Sequence, residues 1–200
     1  TQVAALETPH VAARETRHVQ ALKTNQVAAL TTDQVQSGLT TAQIVALTTG
    51  QVSSGLTTAQ IVALSTGQVA AFETQDIAAL KTTQIQALST AQVQAGLTTA
   101  QVVALSTGQI QSLTTGQVIA LSTTQVAALE TRDVAALKTS QVAVLTTDQV
   151  QSGLTTAQIA ALTTAQVAQG LTTAQVVALS TAQIQSLTTA RVESLSTTNV

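Results

Sequence analysis

A β-branched residue recurs along the whole chain, and its spacing limits the fold more than any other feature. From Val3 to Val200, a Val or Ile follows at every eighth residue, with five steps of nine. The residue before it is nearly always Gln, and from Val11 on a Thr lies three residues before it. A Leu usually closes each unit. Residues 1–200 are therefore interpreted as a single repeat array of about 25 units.

The eight-residue period does not fit one continuous amphipathic helix. Eight residues advance an α-helix by about 800°, so the apolar positions would drift by about 80° per unit around its surface. The chain must therefore turn within every unit.

Local signals place a short helix in each unit. Thr is a favoured N-cap residue, and Pro9, the one proline, follows Thr8 at the first helical position, which proline tolerates best. Each unit is predicted to hold a Thr cap, about one and a half helical turns ending at Leu, and a corner. The threonines predicted as structural caps include Thr8, Thr41, Thr58, Thr99, Thr156 and Thr173.

The predicted fold is an all-α solenoid of very short Thr-capped helices, with 8–9 residues per unit. A helix of about six residues is well below the ~12–15 residues needed for marginal stability alone. The units must therefore be stabilised by stacking on their neighbours.

A β-solenoid is the alternative fold. Val, Ile and Thr favour strands, and one Gln per unit could form a stacked amide ladder. Abundant Ala, Gln and Leu, the proline after Thr8 and the lack of strict alternation argue against strands. Circular dichroism would separate the two folds.

Five glycines mark the nine-residue steps, and every one is followed by Leu. Glycine after a short helix can take the left-handed conformation that closes it, with the next apolar residue packing back on the helix. We therefore predict a variant corner at each of these positions. The turn glycines are Gly38, Gly55, Gly96, Gly153 and Gly170.

Charged residues reveal a longer period of seven units. Three Glu residues and three Lys residues recur at intervals of 58 and 57 residues, in segments such as ETQDIAALKT and ETRDVAALKT. Duplication of a seven-unit block explains this pattern. The alternative is that seven units match a whole number of superhelical turns, which would stack the charges into an ionic stripe. Its members would be Glu15, Lys23, Glu73, Lys81, Glu130 and Lys138.

The sequence contains no catalytic constellation, so we expect no enzyme and no cofactor. The chain has no Cys, and no Ser/His/Asp arrangement is evident. His10 and His18 replace Gln in adjacent units and could approach a metal ion together with Glu7 or Glu15. Replacement of Gln by another polar helix-start residue explains them equally, and we expect no metal site.

Two further patterns resemble functional motifs only in part. Asp76 and Asp133 fall in the first helical turn, where a carboxylate suits the helix dipole, and are interpreted as structural. The Thr-Gly-Gln segments lack both the G-x-G-x-x-G pattern and the Walker lysine of phosphate-binding loops.

Charge and hydropathy argue against nucleic acid and membranes as partners. Seven basic residues against nine acidic ones give a net charge of −2, without a basic footprint. In the uncharged stretch from Gln34 to Phe72, apolar runs reach only four residues before Thr or Ser interrupts, so we expect no membrane insertion.

Two resemblances concern the repeat motif itself. LTTAQVVALS, at residues 97–106 and 171–180, resembles the LTPEQVVAIAS opening of TAL-effector repeats, an α-solenoid family. That resemblance implies a Thr-capped short helix; the second helix, base-reading loop and basic contacts of the family have no counterpart here. Arrays of LTTxQVxAL are also similar to octad repeats in long bacterial surface or secreted proteins, which implies an extracellular or cell-surface location.

These features predict a structural repeat protein that forms or stiffens an extracellular filament, fibre or adhesin stalk. The first and last units are nearly standard, so we expect either an excerpt of a longer array or copies of the chain joined end to end. The expected partner is the chain itself, and the many Thr and Ser residues could carry O-glycans. The alternative is a binding module, with either an ice-binding Thr face or a peptide-binding solenoid groove.

Overall fold

A computed structural model of the protein describes residue 5 and residues 7–195. The chain divides into two compact units, Thr1–Leu105 and Ser106–Val200. The described residues of both are helical and include no strand, so the predicted all-α repeat architecture is confirmed and the β-solenoid alternative is wrong. The interpretation of residues 1–200 as one array stays a prediction.

The first compact unit consists of α-helices and π-helical turns of five or six residues. Its α-helices are Thr8–Ala12, Thr16–Gln20, Thr24–Ala28, Thr41–Val45, Thr58–Ala63, Thr66–Ala71, Thr74–Ala79, Thr82–Ala87 and Thr99–Ala104. Its π-helical turns are Gln34–Gly38, Gln51–Gly55 and Gln92–Gly96.

The second compact unit repeats this organisation. Its α-helices are Thr107–Ser112, Thr115–Ala120, Thr123–Ala128, Thr131–Ala136, Thr139–Ala143, Thr156–Ala161, Thr173–Ala178, Thr181–Ser186 and Thr189–Glu193. Its π-helical turns are Gln149–Gly153 and Gln166–Gly170.

The helix caps lie one residue earlier than the sequence predicted. Thr40 has the extended backbone of an N-cap residue (φ −75°, ψ 161°), and its hydroxyl accepts a hydrogen bond from the amide of Gln43 at 3.3 Å. Thr41 is the first helical residue. The cap must reach the amide three residues further on, and only the first Thr or Ser of each pair has that spacing to Gln.

The same correction applies to the other predicted caps. The N-cap residues that precede Thr8, Thr41, Thr58, Thr99, Thr156 and Thr173 are Glu7, Thr40, Thr57, Thr98, Thr155 and Thr172. Glu7 makes no side-chain cap hydrogen bond, so the first of these helices lacks the hydroxyl cap that the others have.

The predicted left-handed glycine caps are also wrong. No described glycine has a positive φ. The extra residue is instead taken up inside the helix as a π-helical turn, in which the amide of Leu39 donates to the carbonyl of Gln34. This correction applies to all five predicted turn glycines, Gly38, Gly55, Gly96, Gly153 and Gly170.

These glycines are required because another helix passes close to them. A Cβ atom added to Gly55 would lie 3.0 Å from the Cβ of Val27, three repeat units earlier, and 3.3 Å from the carbonyl oxygen of Thr24. Contacts this short force a neighbour to move. The other four glycines stand in the same relation to a Val three units earlier, at 3.1 to 3.2 Å.

Within each compact unit, helices three repeat units apart pack against each other. Thr8–Ala12 contacts Gln34–Gly38, and Thr107–Ser112 contacts Thr131–Ala136. From Val11 to Val167 the repeated Val or Ile is almost entirely inaccessible, as at Ile44 and Val126 (both 0% exposed). The Leu of most units, from Leu30 to Leu187, completes this core, and Phe72 takes the place of Leu in one unit. Each compact unit is therefore an α-solenoid with a continuous aliphatic core.

Candidate functional site: the glutamine lock

The most distinctive polar feature of the structure is the Gln that precedes each core Val or Ile. In Gln60, the side-chain oxygen Oε1 accepts a hydrogen bond from the amide of Thr57 at 2.8 Å. Its side-chain nitrogen Nε2 donates to the carbonyl oxygens of Val27 at 2.9 Å and Leu30 at 2.7 Å. Val27 and Leu30 lie four repeat units earlier. We call this set of three hydrogen bonds the glutamine lock.

The lock recurs through both compact units with nearly constant geometry. The Nε2 distances to the two carbonyls run from 2.6 to 3.0 Å, and the joined residues are 28 to 33 positions apart in the chain. The complete locks include those of Gln43, Gln51, Gln60, Gln68, Gln84, Gln92, Gln101, Gln141, Gln149, Gln158, Gln166, Gln175 and Gln183.

The lock satisfies every polar group of a buried amide. Gln60 is only 2% exposed, yet its oxygen and both side-chain hydrogens have partners. An unpaired buried amide or carbonyl would cost about 1–3 kcal/mol, so the fit of all three bonds matters for stability. Gln60 also helps to cap its own helix, because it is the third helical residue (N3) after the N-cap Thr57 and completes a Thr-x-x-Gln capping box.

The lock and the helix packing together fix the number of repeat units in each solenoid turn. Apolar contacts join units three apart, and locks join units four apart. One solenoid turn therefore holds between three and four repeat units, and seven units come close to two turns. The seven-unit period of the charged residues is compatible with this number of units per turn.

The members of the predicted ionic stripe occupy N-cap positions. Glu15, Lys23, Glu73, Lys81, Glu130 and Lys138 take the place of the capping Thr or Ser. Among the described residues, Glu15 pairs with Arg17, and Glu130 pairs with Arg132. These ion pairs lie within one repeat unit and involve Arg, so the stripe of stacked Glu and Lys stays a prediction.

Two aspartates occupy lock positions without making a lock. Asp76 and Asp133 are both 0% exposed, and neither carboxylate oxygen of either residue has a hydrogen-bond partner. Both lie in the first helical turn, where the backbone of Glu73 and that of Glu130 act to lower the respective pKa, but neither carboxylate has a partner in full hydrogen-bonding geometry. They are unsatisfied acids within the stack.

The electrostatic surroundings of these two acids differ. Burial raises the pKa of Asp76 to about 6, and the nearby charge of Glu73 acts in the same direction. Burial also raises the pKa of Asp133, but the guanidinium of Arg132, whose Nε lies 3.9 Å away, opposes that effect. Asp133 thus has a cationic neighbour, Arg132, in its own repeat unit. The equivalent neighbour of Asp76 is the neutral Gln75.

The remaining substitutions at the lock position fall near the ends of the described chain. Arg191 donates from Nε to the carbonyl of Leu162, which partly reproduces the lock. His10 and His18 are exposed and line one shallow groove with Arg14 and Glu15. No group of three or more His, Cys, Asp or Glu residues in the described part of the chain is placed to hold a metal ion.

One further structural observation concerns membranes. None of the helices within the described ranges combines the length and apolar character that crossing a bilayer requires.

Comparison with known families identifies the repeat. A sequence model of the ALTTAQ repeat matches residues 3–37, 69–107, 99–131 and 126–164, which together make up more than half of the chain. The chain belongs to the ALTTAQ repeat family. The ALTTAQ motif corresponds to the Leu of one repeat unit followed by the capping pair and the lock Gln of the next. No curated protein matches the chain.

Proposed function

We propose that this ALTTAQ repeat chain is a structural element of a bacterial extracellular filament, fibre or adhesin stalk, which it forms or stiffens by stacking of its repeat units. The observation that carries the proposal is the recurrence of the glutamine lock through both compact units. The extracellular and bacterial assignment rests on the similarity of LTTxQVxAL arrays to surface and secreted proteins. The proposal involves no catalysis, cofactor, nucleic acid or membrane insertion.

The lock suits a mechanical role because each repeat unit is held by two kinds of contact. Removing one unit from the stack would expose a buried Val or Ile and a Leu, and would break the hydrogen bonds of its lock. None of these contacts carries a net charge, so ionic strength has little effect on them. A stack of such units would keep its stiffness over a wide range of salt concentration.

Self-association is the proposed form of assembly. Ile184 and Val192 hold the core position of the last two described repeat units, and they are 46% and 44% exposed. A repeat unit of another copy packed on them would bury them as their equivalents are buried. The exposed threonines at the first helical position, such as Thr41, are available for O-glycans.

Electron microscopy of the purified chain tests the proposal. We expect filaments or rods with a regular axial repeat, whose length does not change between low and high salt. The variant Gln60→Leu removes one lock and should give shorter or fewer filaments, whereas Gln36→Leu makes the same change at an exposed position and should not. Compact monodisperse particles at every protein concentration would refute the structural role.

A binding surface formed by threonines is a second candidate. Because the cap is the first residue of each Thr pair, the second, such as Thr58 or Thr99, begins the helix and is exposed. Repeated exposed Thr residues could order water and bind ice. Thermal hysteresis in a solution of the protein, lost when Thr58 and Thr99 are changed to Lys with the helical spectrum retained, would favour this function over the mechanical one.

A further inference from the structure

Asp76 interrupts the series of locks inside the first compact unit. Gln68 and Gln84, in the repeat units before and after it, both donate to carbonyls of the unit four earlier. By the same register, the carbonyls that correspond to Asp76 are those of Ile44 and Leu47. An ionised carboxylate only accepts hydrogen bonds, so it can make no bond to them.

No cationic group among the described residues acts on Asp76. Residues 34–72 contain no charged or titratable side chain, and neither does the helix Thr99–Ala104 that packs against Thr74–Ala79. The charged group that acts on Asp76 is Glu73, which has the same sign. Gln75 donates to Glu73 at 2.6 Å, where the second compact unit has an arginine. The negative charge on Asp76 must therefore be neutralised from solution.

A proton neutralises this charge and also creates the missing donor. A buried, unpaired charge is far more costly than a buried neutral group that has a partner. The side chain of Asp is shorter than that of Gln by one methylene, about 1.5 Å. The protonated acid can therefore reach a carbonyl after a small shift or through one water molecule.

We propose that Asp76 is a proton-dependent lock, which joins its repeat unit to the unit four earlier when the carboxyl group is protonated and leaves that junction open when it is ionised. This inference is independent of the proposed mechanical function. It makes one junction in the first compact unit weaker at neutral pH than at acidic pH, while the neutral glutamine locks are unaffected.

The direction of the pH effect follows from linkage. Because burial raises the pKa of Asp76 from 3.8 to about 6, the folded state binds this proton more tightly than the unfolded state does. The stabilisation is complete below the unfolded pKa and is lost as pH rises through the folded pKa. The relevant window runs from about pH 4 to pH 7.

Urea unfolding at a series of pH values tests the proposal, with the variants Asp76→Asn and Asp76→Gln as references. All other acids are common to the three proteins, so the ratio of their unfolding equilibrium constants isolates Asp76. We expect the ratio of wild type to Asp76→Asn to rise by up to about 100-fold from pH 4 to pH 7, as a pKa difference of about two units requires. Asp76→Gln should unfold at a higher urea concentration than wild type at pH 7.

Three results would overturn the proposal. The first is a ratio that does not change with pH. The second is an Asp76→Gln variant no more stable than wild type at pH 7, which would show that Asp76 does not occupy a lock register. The third is loss of the pH effect when calcium chloride replaces sodium chloride at constant ionic strength, which would show that a metal ion neutralises the acid.

Discussion

The side-chain nitrogen of Gln60 lies 2.9 Å from the carbonyl oxygen of Val27, although the two residues are 33 positions apart in the chain. This contact joins repeat units that are four apart, and the same residue caps its own helix. A single residue type thus couples the local start of a helix to the long-range stacking of the solenoid.

The variant Gln60→Leu tests the contribution of one lock. Leucine keeps much of the side-chain volume but leaves the amide of Thr57 and the carbonyl of Leu30 without this partner. We expect the free energy of unfolding to fall by about 2–5 kcal/mol, the cost of leaving a buried carbonyl and a partly buried amide unpaired. Chemical unfolding followed by circular dichroism measures the change. Gln36→Leu, an exposed site in another unit, should shift it by less than about 0.5 kcal/mol.

The variant Gly55→Ala tests the close approach at a π-helical turn. The new Cβ would lie 3.0 Å from the Cβ of Val27, so we expect overpacking to destabilise the fold by about 1–3 kcal/mol. Gly108→Ala is the matched control, because nothing lies within 4 Å of the added atom. As Gly108 is within a helix, that change should stabilise by about 0.5–1 kcal/mol.

A second substitution separates packing from backbone effects at this site. Val27→Ala in the Gly55→Ala background removes Cγ1 of Val27, which would lie 3.2 Å from the new methyl group, and leaves in place the Cβ at 3.0 Å and the carbonyl oxygen of Thr24 at 3.3 Å. We expect the double variant to be more stable than the sum of the two single changes predicts. Additive free energies would show that the contact with Cγ1 of Val27 is not what makes glycine necessary at this position.

The position of the helix cap gives a further prediction. The hydroxyl of Thr114 accepts from the amide of Gln117 at 3.2 Å, whereas Thr115 is the first helical residue and is exposed. Thr114→Ala should therefore lower the free energy of unfolding by about 1 kcal/mol, and Thr115→Ala should change it little. Thermal unfolding of the two variants under identical conditions shows which residue is the N-cap. A larger loss of stability in Thr115→Ala would mean that the second threonine of the pair, as the sequence predicts, is the cap.

The sequence was sufficient for the fold because the information on the fold is periodic and local. The eight-residue period excludes one long helix, and Thr, Pro9 and the good helix formers favour a short helix in every unit. The burial of Val, Ile and Leu follows from the same register, and the structure confirms it at positions such as Ile44 and Leu105.

The features that sequence reasoning missed depend on contacts between distant units. The role of Gln60 rests on carbonyls about thirty residues away, which no local signal indicates. The nine-residue step indicates a special role for Gly55, but it does not distinguish a left-handed turn from a close approach of another helix. Both require glycine, and the structure shows the close approach. The cap was misplaced by one residue because Thr57 and Thr58 are chemically equal, although the Thr-x-x-Gln spacing from Thr57 could have resolved it.

The last prediction uses the contrast between the two buried aspartates. The guanidinium of Arg132 holds the pKa of Asp133 below the value that burial and Glu130 would otherwise give it. Arg132→Gln should therefore raise the pKa of Asp133 further. Because the folded state then keeps the proton to a higher pH, the loss of stability that begins near the unfolded pKa should continue to a higher pH than in the wild type. Carbon-13 NMR titration of the Asp133 carboxyl group measures the pKa directly.

Arg17→Gln removes a similar arginine beside Glu15, where His18 replaces the aspartate, and should leave this titration unchanged. An Asp133 carboxyl that titrates at the same pH in wild type and Arg132→Gln would show that Arg132 does not act on it.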